Sequence, residues 1–241
     1  MVTIDLEADI PTDLLANPTW DMVKEDLKLG IYDSVGIATP CGTFSPLRES
    51  PPGPRPLRSL ERPMGLPKEQ LTEAEQKQLS QSNRLLEISA NAFLLTVDAC
   101  KGVWWENPDH GNKLDMWKTP FAETALQRPQ VELSKFDQCR FGAETTKPTT
   151  FATCMLDLSC LNETRCNHEK KEYRKSDGSS YMAAHESLVQ RWRSTDRGRE
   201  RASKRLGEYP PLLNQRLSEA MSAVETHRAN TLRTLKSEPI P

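Results

Sequence analysis

No stretch of this 241-residue chain approaches the length of a membrane span. The opening Met1-Val2-Thr3-Ile4-Asp5-Leu6 lacks the apolar character of a leader and reads instead as a short strand. Hydrophobic residues make up only 36% of the chain, and the mean hydropathy of -0.66 is low for a fully packed domain, so part of the chain is expected to lie outside any core. No internal repeat is present, which excludes solenoid and propeller arrays. No glycine occurs before Gly30, so no glycine-rich turn is available ahead of it. Six cysteines without a leader point to a reducing compartment, with an intracellular address, cytoplasmic or nuclear.

The net charge of -2 conceals an asymmetry. Residues 166–241 carry 15 Lys and Arg against 10 Asp and Glu, a net of +5, which leaves -7 for residues 1–165. This difference, with a turn-rich polar stretch around Asp177-Gly178-Ser179-Ser180, divides the chain into a core at 1–165 and a basic helical region at 166–241. The basic stretch Arg191, Arg193, Arg197, Arg199, Arg201, Lys204 and Arg205 faces only Asp196 and Glu200, and is the charge-based candidate for contact with nucleic acid phosphates. Trp192 is its only aromatic, too few for a stacking platform. The plainer alternative is a solvated helix and linker.

Periodicity supplies the elements. Thr19 to Leu29 reads as an amphipathic helix with Trp20, Val23 and Leu27 on one face, and Ser34 to Ala38 as a strand. Residues 46–67 contain seven of the 18 prolines and are predicted to form an extended loop, since proline denies both helix and central strand. Thr72 and Glu75 have the form of a capping box before Leu79, Leu86, Ala90, Phe93 and Val97, which predicts a long helix to about Cys100. A strand at Lys101 to Trp105 then closes a right-handed parallel crossover, so the strands ending at Ala38 and Trp105 should be parallel neighbours or one strand apart. Val131 to Phe136 and Thr149 to Cys154 read as a hairpin-like addition at the sheet edge. Ala183 to Arg193 and Leu212 to Leu235 are predicted as helices, separated by Gly207 and Pro210-Pro211.

Two short motifs sit where strands should leave the sheet, at Pro40-Cys41 and Glu106-Asn107-Pro108. A thiol and a carboxylate delivered to one edge make a nucleophile and a proton partner for a heteroaromatic ring. Arg48, Arg55 and Arg58 lie in the following loop and are expected to fold back over Cys41, acidifying the thiol and contacting nucleic acid. The alternative makes Cys41 a small buried hydrophobe at a turn and Glu106 a cap on the next turn. A second constellation, Cys154, Cys160, Cys166 and His168 with Cys139 and His185 near in sequence, has zinc-type ligands. Its spacing of five and five residues departs from the usual pattern, and Cys166-Asn167-His168 supplies two ligands only with a bent loop, so the thiols are read as buried and no metal is assigned.

The order of these motifs resembles the cytosine-5 DNA methyltransferases. Pro40-Cys41-Gly42-Thr43-Phe44-Ser45 has the shape of that family's nucleophile loop, and Glu106-Asn107-Pro108 that of its Glu-Asn-Val. Phe141-Gly142-Ala143-Glu144-Thr145-Thr146-Lys147-Pro148-Thr149-Thr150-Phe151 fits its Tyr-Gly and Gln-x-Arg-x-Arg frame, with Thr145, Lys147 and Thr149 at the Gln and the two Arg positions. The resemblance spans about Val2 to Cys154. It implies a doubly wound, Rossmann-like α/β sheet, Cys41 as nucleophile, Glu106 as pyrimidine partner, Asn107 fixing the loop and Lys147 as anchor. It also implies S-adenosylmethionine as cofactor, with Asp5 and Pro40 beside it, and DNA as partner. The family's Phe-x-Gly-x-Gly strand and turn have no counterpart here, so the sheet is expected to be incomplete at its N-terminus. Cofactor binding is then weak unless a second chain or a further N-terminal segment completes the fold. Similar divergent cores also look like accessory proteins of mobile elements, and a non-catalytic nucleic-acid-binding or assembly module is the alternative function.

Overall fold

The structure is a computed structural model that describes residues 12–16, 18–49, 53–174, 178–187, 192–195, 198–201 and 208–237. The expected strand around Val2 to Leu6, with Asp5, lies outside the described residues, as do Arg191 and Arg197.

The centre of the molecule is a four-stranded mixed sheet in the order β1-β2-β4-β3, formed by β1 (Ser34–Ala38), β2 (Gly102–Pro108), β3 (Glu132–Asp137) and β4 (Pro148–Cys154). β1 and β2 are parallel neighbours, with Val35 opposite Val103 and Ala38 opposite Glu106, as the crossover predicts. β4 runs antiparallel to β2 on one side and to β3 on the other. The fold is therefore α/β, but among the described residues only one strand pair is of the crossover type.

The crossover helix α2 (Glu73–Asp98) starts at the expected capping box, where the Glu75 N–H donates to Thr72 Oγ1 and the Thr72 N–H donates back to the Glu75 carboxylate. Its Leu86, Ala90, Phe93 and Val97 pack against Val103 and Trp105 of β2 and Ala152 and Cys154 of β4. A second face of α2, through Ile88 and Ala92, receives Trp20 and Leu27 of α1 (Thr19–Lys28). The short α3 (Pro120–Leu126), capped by the Thr119 hydroxyl, closes this side through Ala122 and Ala125.

Strand alternation sends Trp104 and Phe151 to the opposite face, where a second core forms with Phe136, Phe141, Leu158 and Leu161. α4 (Pro211–Ser237), which contains the predicted Leu212–Leu235 helix, inserts Leu213 and Leu217 into this core. Gly36 matters here: a Cβ at that position would overlap the Trp104 indole, which lies across β1. Burying those two leucines contributes roughly 2 kcal/mol each and covers a sheet face that would otherwise meet water.

The predicted helix at Ala183 to Arg193 is overturned over its described residues, with residues 188–191 lying outside them. β5 (Lys171–Arg174) and β6 (Ser180–Ala183) form a hairpin with Tyr173 beside Tyr181, their rings 5.7 Å apart, and β7 (Trp192–Thr195) pairs with β8 (Gly198–Arg201). Gly178 has φ 85°, and the cross-strand tyrosine pair outweighs the weak helical pattern that follows. Arg193 and Arg199 stand on the second hairpin. Among the described residues, no helix is long and apolar enough to cross a membrane.

Candidate functional site at the exit of the parallel strands

The edge where β1 and β2 end is organised by Thr39. Its hydroxyl accepts from Trp105 Nε1 at 2.7 Å and its carbonyl accepts from Asn107 Nδ2 at 2.9 Å. These bonds tie the end of β1 to β2 across a buried gap, so Asn107 fixes the loop as the motif reading implies. Pro40 is exposed, and Cys41 begins a tight turn in which its carbonyl accepts the Phe44 N–H at 2.9 Å. Phe44 is buried in the core against α2 and holds that turn down.

Glu106 follows Trp104 on the same face of β2 and is 5% exposed. Lys147 reaches it from the loop joining β3 to β4, with Nζ 3.7 Å from Oε1. Lys147 has φ 34°, a left-handed conformation that costs a lysine roughly 1–2 kcal/mol and is held by hydrogen bonds from the Gln138 N–H and the Thr149 hydroxyl to its carbonyl. The third group is Tyr209, whose ring meets Trp104 edge-on at 5.8 Å and lies 5.7 Å from the Lys147 ammonium. Its hydroxyl is turned toward the Glu106 carboxyl, yet Glu106 Oε1 and the tyrosine oxygen both lack a hydrogen-bond partner of normal geometry.

Burial pushes the Glu106 carboxyl above its ordinary range, against the opposing pull of Lys147 and Tyr209. Burial also pushes the Cys41 thiol up, with Glu106 adding to the effect and Lys147 opposing it. Cys41, Glu106, Asn107 and Lys147 are thus brought to one edge of the sheet, but the thiol is held protonated rather than acidified.

The loop arginines do not fold over Cys41 as expected. Arg58 is 4% exposed and donates to the Thr43 hydroxyl at 3.1 Å, the Ser82 hydroxyl at 3.1 Å and the Pro63 carbonyl at 2.6 Å, while stacking over Phe44 at 4.1 Å. Arg48 donates to the carbonyls of Gly42 at 2.8 Å and Arg55 at 3.0 Å, and Arg55 forks onto the Glu75 carboxylate at 2.8 and 2.7 Å. A proline-rich segment has few backbone bonds of its own, and these guanidiniums satisfy its carbonyls and fasten it to α2. Burial leaves Arg58 no path to a phosphate, and none of the three is among the charges acting on Cys41.

Tyr209 was missed by sequence reasoning, because a lone tyrosine before Pro210-Pro211 carries no periodic signal. The expected thiol constellation is also rearranged. Cys154 is buried on β4 against α2 and Cys160 is exposed, whereas Cys139, Cys166, His168 and His185 meet at the far end of β3. A separate concavity of about 520 Å³, lined by Met64, Leu66, Leu79, Asn83 and Phe121, includes none of Cys41, Glu106 or Lys147.

No protein-family model matches the chain, and no match was found among curated proteins or solved structures.

Proposed function

We propose that this chain is a divergent cytosine-5 methyltransferase-like protein that holds a cytosine base at Glu106 and does not methylate it unaided. One observation carries the reading: motifs spread over more than a hundred residues, at Cys41, Glu106 and Lys147, converge on one buried carboxyl at the exit of a parallel strand pair. When it carries its proton, this carboxyl offers one donor and one acceptor, which match cytosine N3 and its exocyclic amine. Trp104, on the same face of β2 as Glu106, supplies an aromatic surface against which a base taken out of its stack would lie.

The raised Cys41 pKa favours binding over addition, because the thiolate and not the thiol attacks a ring carbon. In the family it resembles, S-adenosylmethionine supplies the methyl group. Pro40 is exposed at the strand exit, next to where that cofactor would be brought by a second chain or an N-terminal segment. Tyr209 would have to swing aside for a base to reach Glu106. The second reading, a non-catalytic binding or assembly module, draws support from that covering tyrosine and from the protonated thiol.

The test compares single-stranded oligonucleotides carrying one cytosine or an abasic site at the same position. Cytosine should bind about tenfold better, the worth of one to two net hydrogen bonds. Glu106→Leu should abolish the preference, and Glu106→Gln, which keeps one donor and one acceptor, should retain it. Equal binding of the two oligonucleotides would overturn the reading and leave the assembly module.

A further inference from the structure

We propose that Cys139, Cys166, His168 and His185 hold a structural zinc ion that fastens the β5–β6 hairpin and the Lys147 loop to the end of β3. The ligand atoms of all four residues lie within 4.8 Å of one another. Cys166 Sγ stands 3.5 Å from His168 Nδ1 and 3.3 Å from His185 Nε2. A tetrahedral zinc with bonds of about 2.3 Å to sulfur and about 2.0 Å to nitrogen has sulfur-to-nitrogen edges of about 3.5 Å. The two sulfur-to-nitrogen distances from Cys166 match that edge, and the remaining ligand atoms lie close enough for small side-chain shifts to close the tetrahedron.

The ligands come from three segments, and each is positioned independently of a metal. Cys139 sits in the short turn Gln138–Phe141 that leaves β3, where its N–H donates to the Thr146 carbonyl at 3.4 Å. The chain then returns along the edge of β3, where the Glu163 N–H donates to the Lys135 carbonyl at 2.8 Å and the Asp137 N–H to the Thr164 carbonyl at 2.9 Å. The Cys166 N–H donates to Asp137 Oδ2 at 2.7 Å, which anchors the bend that lets Cys166 and His168 face the same point. His185 follows β6, and the Ser187 N–H donates to the Tyr181 hydroxyl at 2.8 Å to hold that end of the hairpin.

The outer contacts select the metal-binding tautomer. His185 Nδ1 lies 3.1 Å from the Glu144 carbonyl, so the ring donates its Nδ1–H there and turns its Nε2 lone pair inward. Two thiols and two imidazoles in tetrahedral disposition suit zinc rather than a hard oxygen-seeking cation. On binding, each thiol releases a proton to solvent and the two thiolates balance the charge of the ion. All four positions are filled by protein, so the ion has no open site for substrate and its work is structural. The loop from Cys139 to Lys147 is then closed at one end by the metal and at the other by β4, which sets where Lys147 stands relative to Glu106.

The experiment is metal analysis of the whole chain purified under reducing conditions, with X-ray absorption at the zinc edge. The expected result is close to one zinc per chain with a shell of two sulfurs and two nitrogens. Cobalt(II) in its place should give tetrahedral visible bands and thiolate charge-transfer absorption. Cys139→Ala and Cys166→Ala should remove the metal, whereas Cys154→Ala and Cys160→Ala should keep the full equivalent. If the ligand variants fail to fold, the coordination shell of the unsubstituted protein decides. Zinc-free protein that gives no cobalt signature, a shell lacking the two sulfurs, or a Cys139–Cys166 disulfide in the reduced preparation would each overturn the assignment.

Discussion

At the exit of the parallel strands the Cys41 thiol shares its surroundings with a buried carboxyl, whereas at the end of β3 the Cys166 thiol faces two imidazoles and neighbours a second thiol. The residue type is the same and the chemistry is opposite. At Cys41 burial is the main obstacle to a thiolate and Glu106 adds to it, so the proton stays on and the nucleophile is quiet. Among the imidazoles a thiolate pair gains from a shared cation, whose binding displaces the thiol protons. A cysteine's role here follows from what the fold places within a few ångströms of its sulfur.

The largest expected effect tests the metal side of this contrast. A site saturated a thousandfold above its dissociation constant adds about 4 kcal/mol of stability. Stripping the ion with a strong chelator should therefore lower the melting temperature by on the order of 10 °C for a chain of this size. Backbone hydrogen exchange should rise at β5, β6 and the Cys139–Lys147 loop and stay unchanged in β1, β2 and α2, which have their own core. Uniform loosening of both regions would erase the contrast, because it would mean that the metal supports the whole sheet.

A smaller effect tests the carboxyl side. The folded pKa of Glu106 is raised above its unfolded value, so the native state holds the proton more tightly than the unfolded chain. The resulting stabilisation is full below the ordinary glutamate range and is lost as the pH rises through the folded value. Glu106→Gln cannot ionise and should match the parent near pH 4 while exceeding its stability progressively toward neutral pH, as read by denaturant midpoints. Parallel curves for the two proteins over that range would show that Glu106 titrates alike in the folded and unfolded chain, with Lys147 offsetting its burial. The contrast with the metal cluster would then narrow to a difference in burial.

What could be read in the chain follows the range of the interactions involved. Thr72 and Glu75 are three residues apart and announce their capping box directly, and the helix between two apolar runs dictates a parallel pair. The ligand set could not be read this way. Cys139, Cys166 and His185 come together because the chain doubles back along β3 and a hairpin follows, so no sequence interval encodes their meeting. Arg58 misled for a related reason: charge suggests solvent and phosphate, but a guanidinium can also be consumed by the carbonyls and hydroxyls of a loop that lacks backbone partners. Tyr209 reaches the site only because Leu213 and Leu217 seat α4 against the sheet.

The smallest effect concerns Cys41 itself, measured as the rate of alkylation against the exposed Cys100 and Cys160 in the intact protein. Reaction proceeds through the thiolate, and every unit by which a thiol pKa rises cuts the thiolate fraction about tenfold near neutral pH. Burial is the main cause of the rise at Cys41, so it should label more slowly than either exposed cysteine. Lys147→Met removes the one cation that opposes the rise and should slow the reaction further. Glu106→Gln separates the two contributions. Where Glu106 is protonated in the parent the substitution removes no charge and the rate should hold, whereas at higher pH, once Glu106 has ionised, the variant should label faster than the parent. Labelling of Cys41 ahead of both exposed cysteines at neutral pH would show an activated nucleophile, and would move the protein from a base-holding pocket to a catalytic one.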